Sequence, residues 1–493
     1  MTDAPAGMAK PNDEDVFLRR VHPDAWRNPP PKELYDFAII GAGPAGIVAA
    51  ELAARSGYNV ALIERNRIGG NSLNVGSVPS KSIIKTARVY AAMREVEAYG
   101  TPQPDEPPLD FAIVMDRMRR IRTRIAEYHS VEKLAGLGID IFFANARFEN
   151  AGAMRVGDSV LRFRKALIAT GARPRPPEIP GLDDIGYLTS TTIFDLASLP
   201  KRLAVIGGGP LGCEMAQAFC RLGSHVIIVQ NDPKFLPREE RDAAEILSRS
   251  MARDGVEIWL NTTVVGAHTA NGARVLETIS NEVKGEIEAD EILLSIGRVP
   301  NLEDLALEAA GISFDRDRGL EVDDFLRTTN PDVYAAGDAC MELKFTNAAE
   351  ASGRIATRNA LGGAQETRRA LSIPWCTYSD PEIAHIGMNV QDARLQSIPV
   401  KSFTVMMHDV DRAITDSQDF GFVKIHIAEG TEKILGATIV SSRASELINE
   451  MAVIMSAGVG MNDLANIVHT YPAESGAIVL AALAYVRDHR ITD

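Results

Sequence analysis

The stretch Tyr35-Asp36-Phe37-Ala38-Ile39-Ile40-Gly41-Ala42-Gly43-Pro44-Ala45-Gly46 decides the fold. A short apolar run turns at three glycines into an alanine-rich segment, and a second apolar run, Asn59-Val60-Ala61-Leu62-Ile63, ends on Glu64. The pattern predicts strand, turn, helix and strand. Gly41 permits a tight turn, Gly43 the close approach of a pyrophosphate, Gly46 the packing of helix on strand, and Glu64 is placed for a ribose hydroxyl pair. The helix N-terminus adds free N–H groups and the positive end of a dipole, worth about 0.3–2 kcal/mol toward a phosphate.

The same plan recurs downstream. Arg202-Leu203-Ala204-Val205-Ile206 runs into Gly207-Gly208-Gly209-Pro210-Leu211-Gly212, and a strand follows at His225-Val226-Ile227-Ile228-Val229. Gly207, Gly209 and Gly212 repeat the three glycine roles, so two dinucleotide sites are encoded. In the second, Gln230-Asn231 stand where an NAD-selective site carries a carboxylate; no charge at those two positions repels a 2′-phosphate, and Lys234 and Arg238 follow, which favours NADPH over NADH. Residues 167–172, with Gly171, and 292–298, with Gly297, read as strand ends that close the two units and lead back across a domain junction.

At 493 residues the chain exceeds one hydrophobic core and predicts two to four domains. Its 45% hydrophobic and 24% charged content is that of an ordinary globular protein. Sixty-six acidic against 52 basic residues give a formal charge of -14, which repels nucleic acid and anionic membrane. The apolar run at 477–486 is far short of the roughly 20 residues needed to cross a bilayer. Residues 1–31 have no signal-peptide core, which points to a cytoplasmic protein. Four cysteines, at 213, 220, 340 and 376, lack framework spacing and fit reduced thiols. The nine histidines lack metal-ligand spacing, so no metal is expected.

The fold class that emerges is α/β, with two Rossmann-like nucleotide domains and a carboxy-terminal α+β domain. The boundaries expected are 1–33 as a poorly ordered extension, 34–172 and 298–371 as the two parts of the first nucleotide domain, 173–297 as the second, and 372–493 as the last. In that last part, residues 422–427 alternate, with Val423, Ile425 and Ile427 on one strand face and Lys424 and His426 on the other, and helices follow from about Ala444.

Three further segments complete an ordered set: Gly69-Gly70-Asn71-Ser72-Leu73-Asn74-Val75-Gly76-Ser77-Val78-Pro79-Ser80-Lys81, Thr329-Asn330-Pro331-Asp332-Val333-Tyr334-Ala335-Ala336-Gly337-Asp338, and Pro374-Trp375-Cys376-Thr377-Tyr378-Ser379-Asp380-Pro381-Glu382. With the two glycine fingerprints they resemble the class I pyridine nucleotide-disulfide oxidoreductases, the flavin disulfide reductases, nearest the mercuric reductase-like branch. The resemblance covers nearly the whole chain from about Leu34. It implies FAD in the first nucleotide fold, NADPH or NADH in the second, and a homodimer built through residues 372–493 with each flavin site completed by the other subunit. It further implies that Gly70, Asn71, Gly171, Gly297 and Ala348 contact cofactor, that Asp338 holds the FAD ribitol, and that Lys81 reaches the flavin edge and pairs with Glu214.

Two departures from the family pattern go together. Ser72 and Ser77 occupy the positions where relatives carry the redox cysteines, and a hydroxyl neither forms a disulfide nor relays electrons as a thiolate. Relatives also place a catalytic base in His-x-His-Pro-Thr-x-x-Glu, whereas this chain reads His469-Thr470-Tyr471-Pro472-Ala473-Glu474-Ser475-Gly476. Tyr471 stands at the base position, Gly476 at its partner's, and Glu474 reads as a helix cap. The tail at 486–493 lacks the cysteine pair of mercuric reductases. The expectation is an FAD-dependent NAD(P)H oxidoreductase that passes electrons directly to a quinone, oxygen, a metal or a small organic molecule, with Ser72, Ser77 and Tyr471 at the acceptor side. A pyridine nucleotide transhydrogenase and a non-catalytic flavin-binding scaffold or redox sensor are the alternatives.

Overall fold

The computed structural model describes residues 13–102 and 109–490. The apolar runs become parallel strands covered on both faces, the arrangement that near-continuous hydrophobic strands require. In the first nucleotide fold Asp140–Phe143, Val60–Glu64, Tyr35–Ile40 and Ser159–Ile168 pair in parallel in that order. Val333–Ala335 joins Ser159–Ile168 in parallel, and an antiparallel extension through Ala153–Val156 and Ala146–Asn150 completes the sheet. Helices Pro44–Arg55 and Thr346–Gly362 pack so closely that a Cβ at Gly353 would lie 2.6 Å from the Ala45 carbonyl oxygen.

The second fold orders Glu257–Trp259, His225–Val229, Arg202–Ile206 and Glu291–Leu294, all parallel. One face is covered by helices Pro210–Arg221 and Arg241–Asp254, the other by the antiparallel sheet Thr262–Ala270, Ala273–Ser280 and Val283–Ala289. The two chain crossings between the folds pair with each other, Ala172–Pro174 antiparallel to Arg298–Pro300. The mixed α/β architecture with two nucleotide folds and a carboxy-terminal α+β unit is therefore the one the sequence predicts.

In the carboxy-terminal unit Trp375–Thr377, Glu382–Gly387, Ile434–Ser441, Phe422–Ala428 and Val400–Met406 form an antiparallel sheet. Val423, Ile425 and Ile427 are fully buried in a core that includes helices Ala444–Ala457 and Gly476–Arg490. The opposite strand face is occupied too: Lys424 and His426 meet Glu240 at 2.8 and 3.0 Å. Glu240 precedes helix Arg241–Asp254, so these pairs seat the sheet on the second nucleotide fold.

The amino-terminal extension differs from its expected disorder. Asp13–Val21 is a helix with Phe17 and Val21 fully buried, and Trp26 packs against the first core. Its polar, acidic composition conceals an apolar pair at i and i+4, which becomes a buried face because helix Phe111–Ala126 receives it. Residues 1–12 lie outside the described residues. Among the described residues no helix is long and apolar enough to cross a membrane, and no group of three or more His, Cys, Asp or Glu is placed to hold a metal ion.

Candidate functional site

Both glycine turns are built alike. Gly41 and Gly207 have φ of 103° and 101°, a region that favours glycine, and a Cβ at Gly46 or Gly212 would collide with the carbonyl of Gly41 or Gly207. The residue ending each second strand reaches back to its own turn. Glu64 Oε2 accepts from the Ala42 N–H at 2.9 Å, and Gln230 Oε1 accepts from the Gly208 N–H at 2.7 Å. Burial raises the Glu64 carboxyl above its ordinary pKa, opposed by the Ala42 and Asn66 N–H groups. On the exposed turn after Gln230, Lys234 and Arg238 both face solvent.

The serine segment folds as two short-spaced helices, Gly70–Asn74 and Ser77–Arg94. Ser72 Oγ accepts a hydrogen bond from Thr346 at 3.0 Å, at the start of helix Thr346–Gly362, where Ala348 is fully buried. Ser77, at the head of the second helix, is exposed. Asn71 Nδ2 donates to the Ala172 carbonyl at 2.7 Å, tying this segment to the junction strand beside Gly171. One turn into the second helix, Lys81 Nζ meets Glu214 Oε2 at 2.7 Å and lies 4.3 Å from the centre of the Tyr378 ring. Glu214 is 4% exposed and its other oxygen accepts from the Tyr378 N–H at 2.9 Å, so both carboxylate oxygens are held. The sequence pairing of Lys81 with Glu214 is thus present as geometry. Tyr378 and Thr346 were not foreseen; only Tyr378 lies inside a quoted segment.

The residues fit FAD and a nicotinamide nucleotide. The backbones of Gly43 and Gly70 approach so that a Cβ on Gly70 would stand 2.6 Å from Gly43 Cα, leaving bare backbone at the head of helix Pro44–Arg55. Gly209, Gly171 and Gly297 each face open space where a side chain would project. Asp338, raised in pKa by desolvation and pulled back by Arg298 and Lys344, is a partly buried carboxylate whose nearest cation is Arg298 at 3.4 Å. Arg298 Nε has no hydrogen-bond partner among the described residues. A partly buried acceptor, an unsatisfied donor and two glycine-lined helix starts are what a polar dinucleotide would satisfy.

The carboxy-terminal segment differs from expectation at two points. Glu474 is buried, and its carboxylate caps no helix; it faces Ser442 at 3.4 Å and Arg443 at 3.6 Å, because the chain folds it under the strand ending at Ser441. A His–Glu pair also exists, two positions before Tyr471: His469 Nε2 meets Glu450 Oε1 at 2.5 Å, and Nδ1 bonds the Ile467 carbonyl at 3.1 Å. A separation of 19 positions hid this pair from the sequence. Tyr471 is 78% exposed and donates to Asp411 at 2.7 Å, and Gly476 opens the last helix.

Two linked dinucleotide folds followed by an antiparallel-sheet domain, with a lysine–glutamate pair between them, define a two-nucleotide redox flavoprotein. A model of the pyridine nucleotide-disulphide oxidoreductase family matches residues 35–353, and a model of that family's dimerisation domain matches residues 373–482; the chain belongs to this family, whose cofactors are FAD and NAD(P)H. It is 34% identical over 458 residues to a mercuric reductase of Acidithiobacillus ferrooxidans, spanning 92% of this chain and 82% of that protein. It is 30% identical over 469 residues to a dihydrolipoyl dehydrogenase of Mycoplasma pneumoniae, spanning 92% and 99%. Among solved structures, LpdA of Mycobacterium tuberculosis superimposes with a TM-score of 0.82 at 29% identity, covering 91% of this chain and 99% of that one.

Proposed function

We propose that this chain is an NAD(P)H oxidoreductase that passes electrons from FAD to an acceptor other than a disulfide, with no dithiol relay of its own. The observation that carries this reading is the serine segment, in which Ser72 is hydrogen-bonded to Thr346 and no sulfur atom stands. Ser72 and Ser77 are taken to replace the cysteines of the disulfide-reducing relatives. The chain's four cysteines offer no substitute. All are unpaired, and burial raises every thiol, Cys220 to about 11 and Cys340 to about 12, so the thiolate that relays electrons is disfavoured at each.

FAD, when bound, accepts hydride from the nicotinamide and hands electrons onward. Gly41, Gly43, Gly46 and Gly70 would hold its pyrophosphate, Glu64 a ribose, Asp338 the ribitol, with Asn71, Gly171 and Ala348 around them. Gly207, Gly209, Gly212, Gln230 and Gly297 would hold the nicotinamide nucleotide. The exposed cations Lys234 and Arg238 support NADPH as the preferred donor. Lys81, fixed by Glu214, holds a positive charge where negative charge would develop. Ser72 and Ser77 orient the acceptor through hydroxyl hydrogen bonds and carry no electrons.

The partner subunit of a homodimer would bring Tyr471 to this side of the site. Val468 and Tyr471, 96% and 78% exposed within the dimerisation-domain match, support that assembly. The domain divisions at 33, 172, 297 and 371 and a cytoplasmic location belong to the same reading. Anaerobic rapid mixing with NADPH, then NADH, should bleach the flavin absorbance without a thiolate charge-transfer band, and quinones, oxygen, metal ions and small conjugated organics would then be screened for reoxidation. Failure to bleach with either nucleotide, or turnover with disulfides alone, would refute it.

A further inference from the structure

We infer that the amino-terminal helix Asp13–Val21 is a positioning element for the serine segment, holding residues 68–78 through contacts on both sides of Ser72. The helix lies outside the region matched by the family model, which begins at residue 35. The inference rests on the reading above only for what the serine segment does.

Ahead of the serines, the Ile68 N–H donates to the Val21 carbonyl at 3.0 Å, and the His22 ring bonds the Asn66 carbonyl. The turn that delivers Gly69 and Gly70 therefore hangs from the end of this helix. Beyond Ser72, Leu73 and Val78 pack with Phe17, Val21 and Ala126 in one apolar cluster. Arg122, 5% exposed, completes the link: it donates to the Asn74 carbonyl at 3.3 Å and to Glu14 at 2.6 Å, with its guanidinium 4.3 Å from the centre of the Phe17 ring. A buried guanidinium needs a carboxylate, and Glu14 supplies it.

The segment needs such support. It consists of two helix ends joined by a turn, and Gly69 and Gly70 hold φ of 99° and 58°. Short elements with few internal hydrogen bonds open locally unless outside contacts hold them. Losing the helix would remove the cover over Leu73 and Val78, the acceptor for Ile68, and the counter-ion of Arg122 together.

The test uses the full-length, FAD-loaded protein. Amide hydrogen exchange is compared for wild type, Phe17→Ala, the milder Glu14→Gln, and the conservative Phe17→Leu. Exchange across 68–78 should accelerate about tenfold or more in the first two variants and return near wild type in Phe17→Leu, with the 375–441 sheet unchanged. Flavin reduction by NADPH should stay within about twofold while reoxidation by the best acceptor slows about tenfold. Exchange that rises equally everywhere, protection at 68–78 that does not change, or equal losses in both half-reactions would overturn the inference. A wild-type protein that reduces no acceptor tried would sink the functional reading instead, and the exchange comparison would still decide the role of the helix.

Discussion

Replacing Glu239 with glutamine should stabilise the protein above neutral pH and change little at pH 5. Glu239 is 7% exposed and accepts from Trp375 Nε1 at 3.2 Å, on the segment that carries Lys234 and Arg238. Burial, reinforced by the charge of Glu240, raises its carboxyl from the ordinary 4.5 to about 7 against the lowering effects of the Trp375 hydrogen bond and Arg241. A carboxyl with a raised folded pKa binds its proton more tightly in the folded than in the unfolded chain. Its stabilising contribution is full below about 4.5 and is lost as pH rises through about 7. A shift of about 2.5 units at 1.36 kcal/mol each gives about 3 kcal/mol lost by pH 8.5. Glutamine keeps an oxygen for Trp375 and never ionises, so that loss should vanish. At about 2–4 °C per kcal/mol for a domain of this size, the melting temperature of Glu239→Gln should exceed wild type by about 6–12 °C at pH 8.5. Thermal unfolding of both FAD-loaded proteins between pH 5 and 9, followed by circular dichroism, reads this directly. An equal difference at both ends of the range, or a less stable variant at pH 8.5, would refute the reasoning.

Lys81→Met leaves the buried Glu214 carboxylate with only the Tyr378 N–H, and should cost about 3 kcal/mol of stability. It should also slow NADPH-driven bleaching about 100-fold with FAD retained, seen by stopped flow. Lys234→Ala with Arg238→Ala should raise KM for NADPH about tenfold or more and leave KM for NADH within about twofold, by steady-state kinetics. At His469, burial opposes the charged ring but the Glu450 and Ile467 hydrogen bonds win and raise its pKa. Its contribution is therefore present below the ordinary histidine value and fades as pH rises through the raised one. Glu450→Gln should bring that titration down in an NMR pH series.

The residues that proved legible carry their requirement locally. Gly41, Gly46, Gly207 and Gly212 announce a turn because the backbone itself demands no side chain there. The Lys81–Glu214 pair was legible only through the family resemblance, which implies it for residues at these places in their motifs. The serines at 72 and 77 needed no structure to exclude a dithiol between them, since oxygen cannot take the place of sulfur in that chemistry.

What the chain order left open was decided by packing between distant parts. Asp13–Val21 looked disordered because an acidic segment becomes a buried helix only when Arg122 and Leu73 arrive to meet it. Glu474 looked like a cap until the fold carried it beneath Ser441 and Ser442, and His469 found Glu450 across a helix. Thr346 reached Ser72 from 274 positions away, and Trp375 reached Glu239 from 136. Backbone turns and strand periodicity act between neighbours and are written in consecutive residues. The pairing, burial and protonation of single side chains depend on which surfaces the finished fold presses together, and only the tertiary structure decides that.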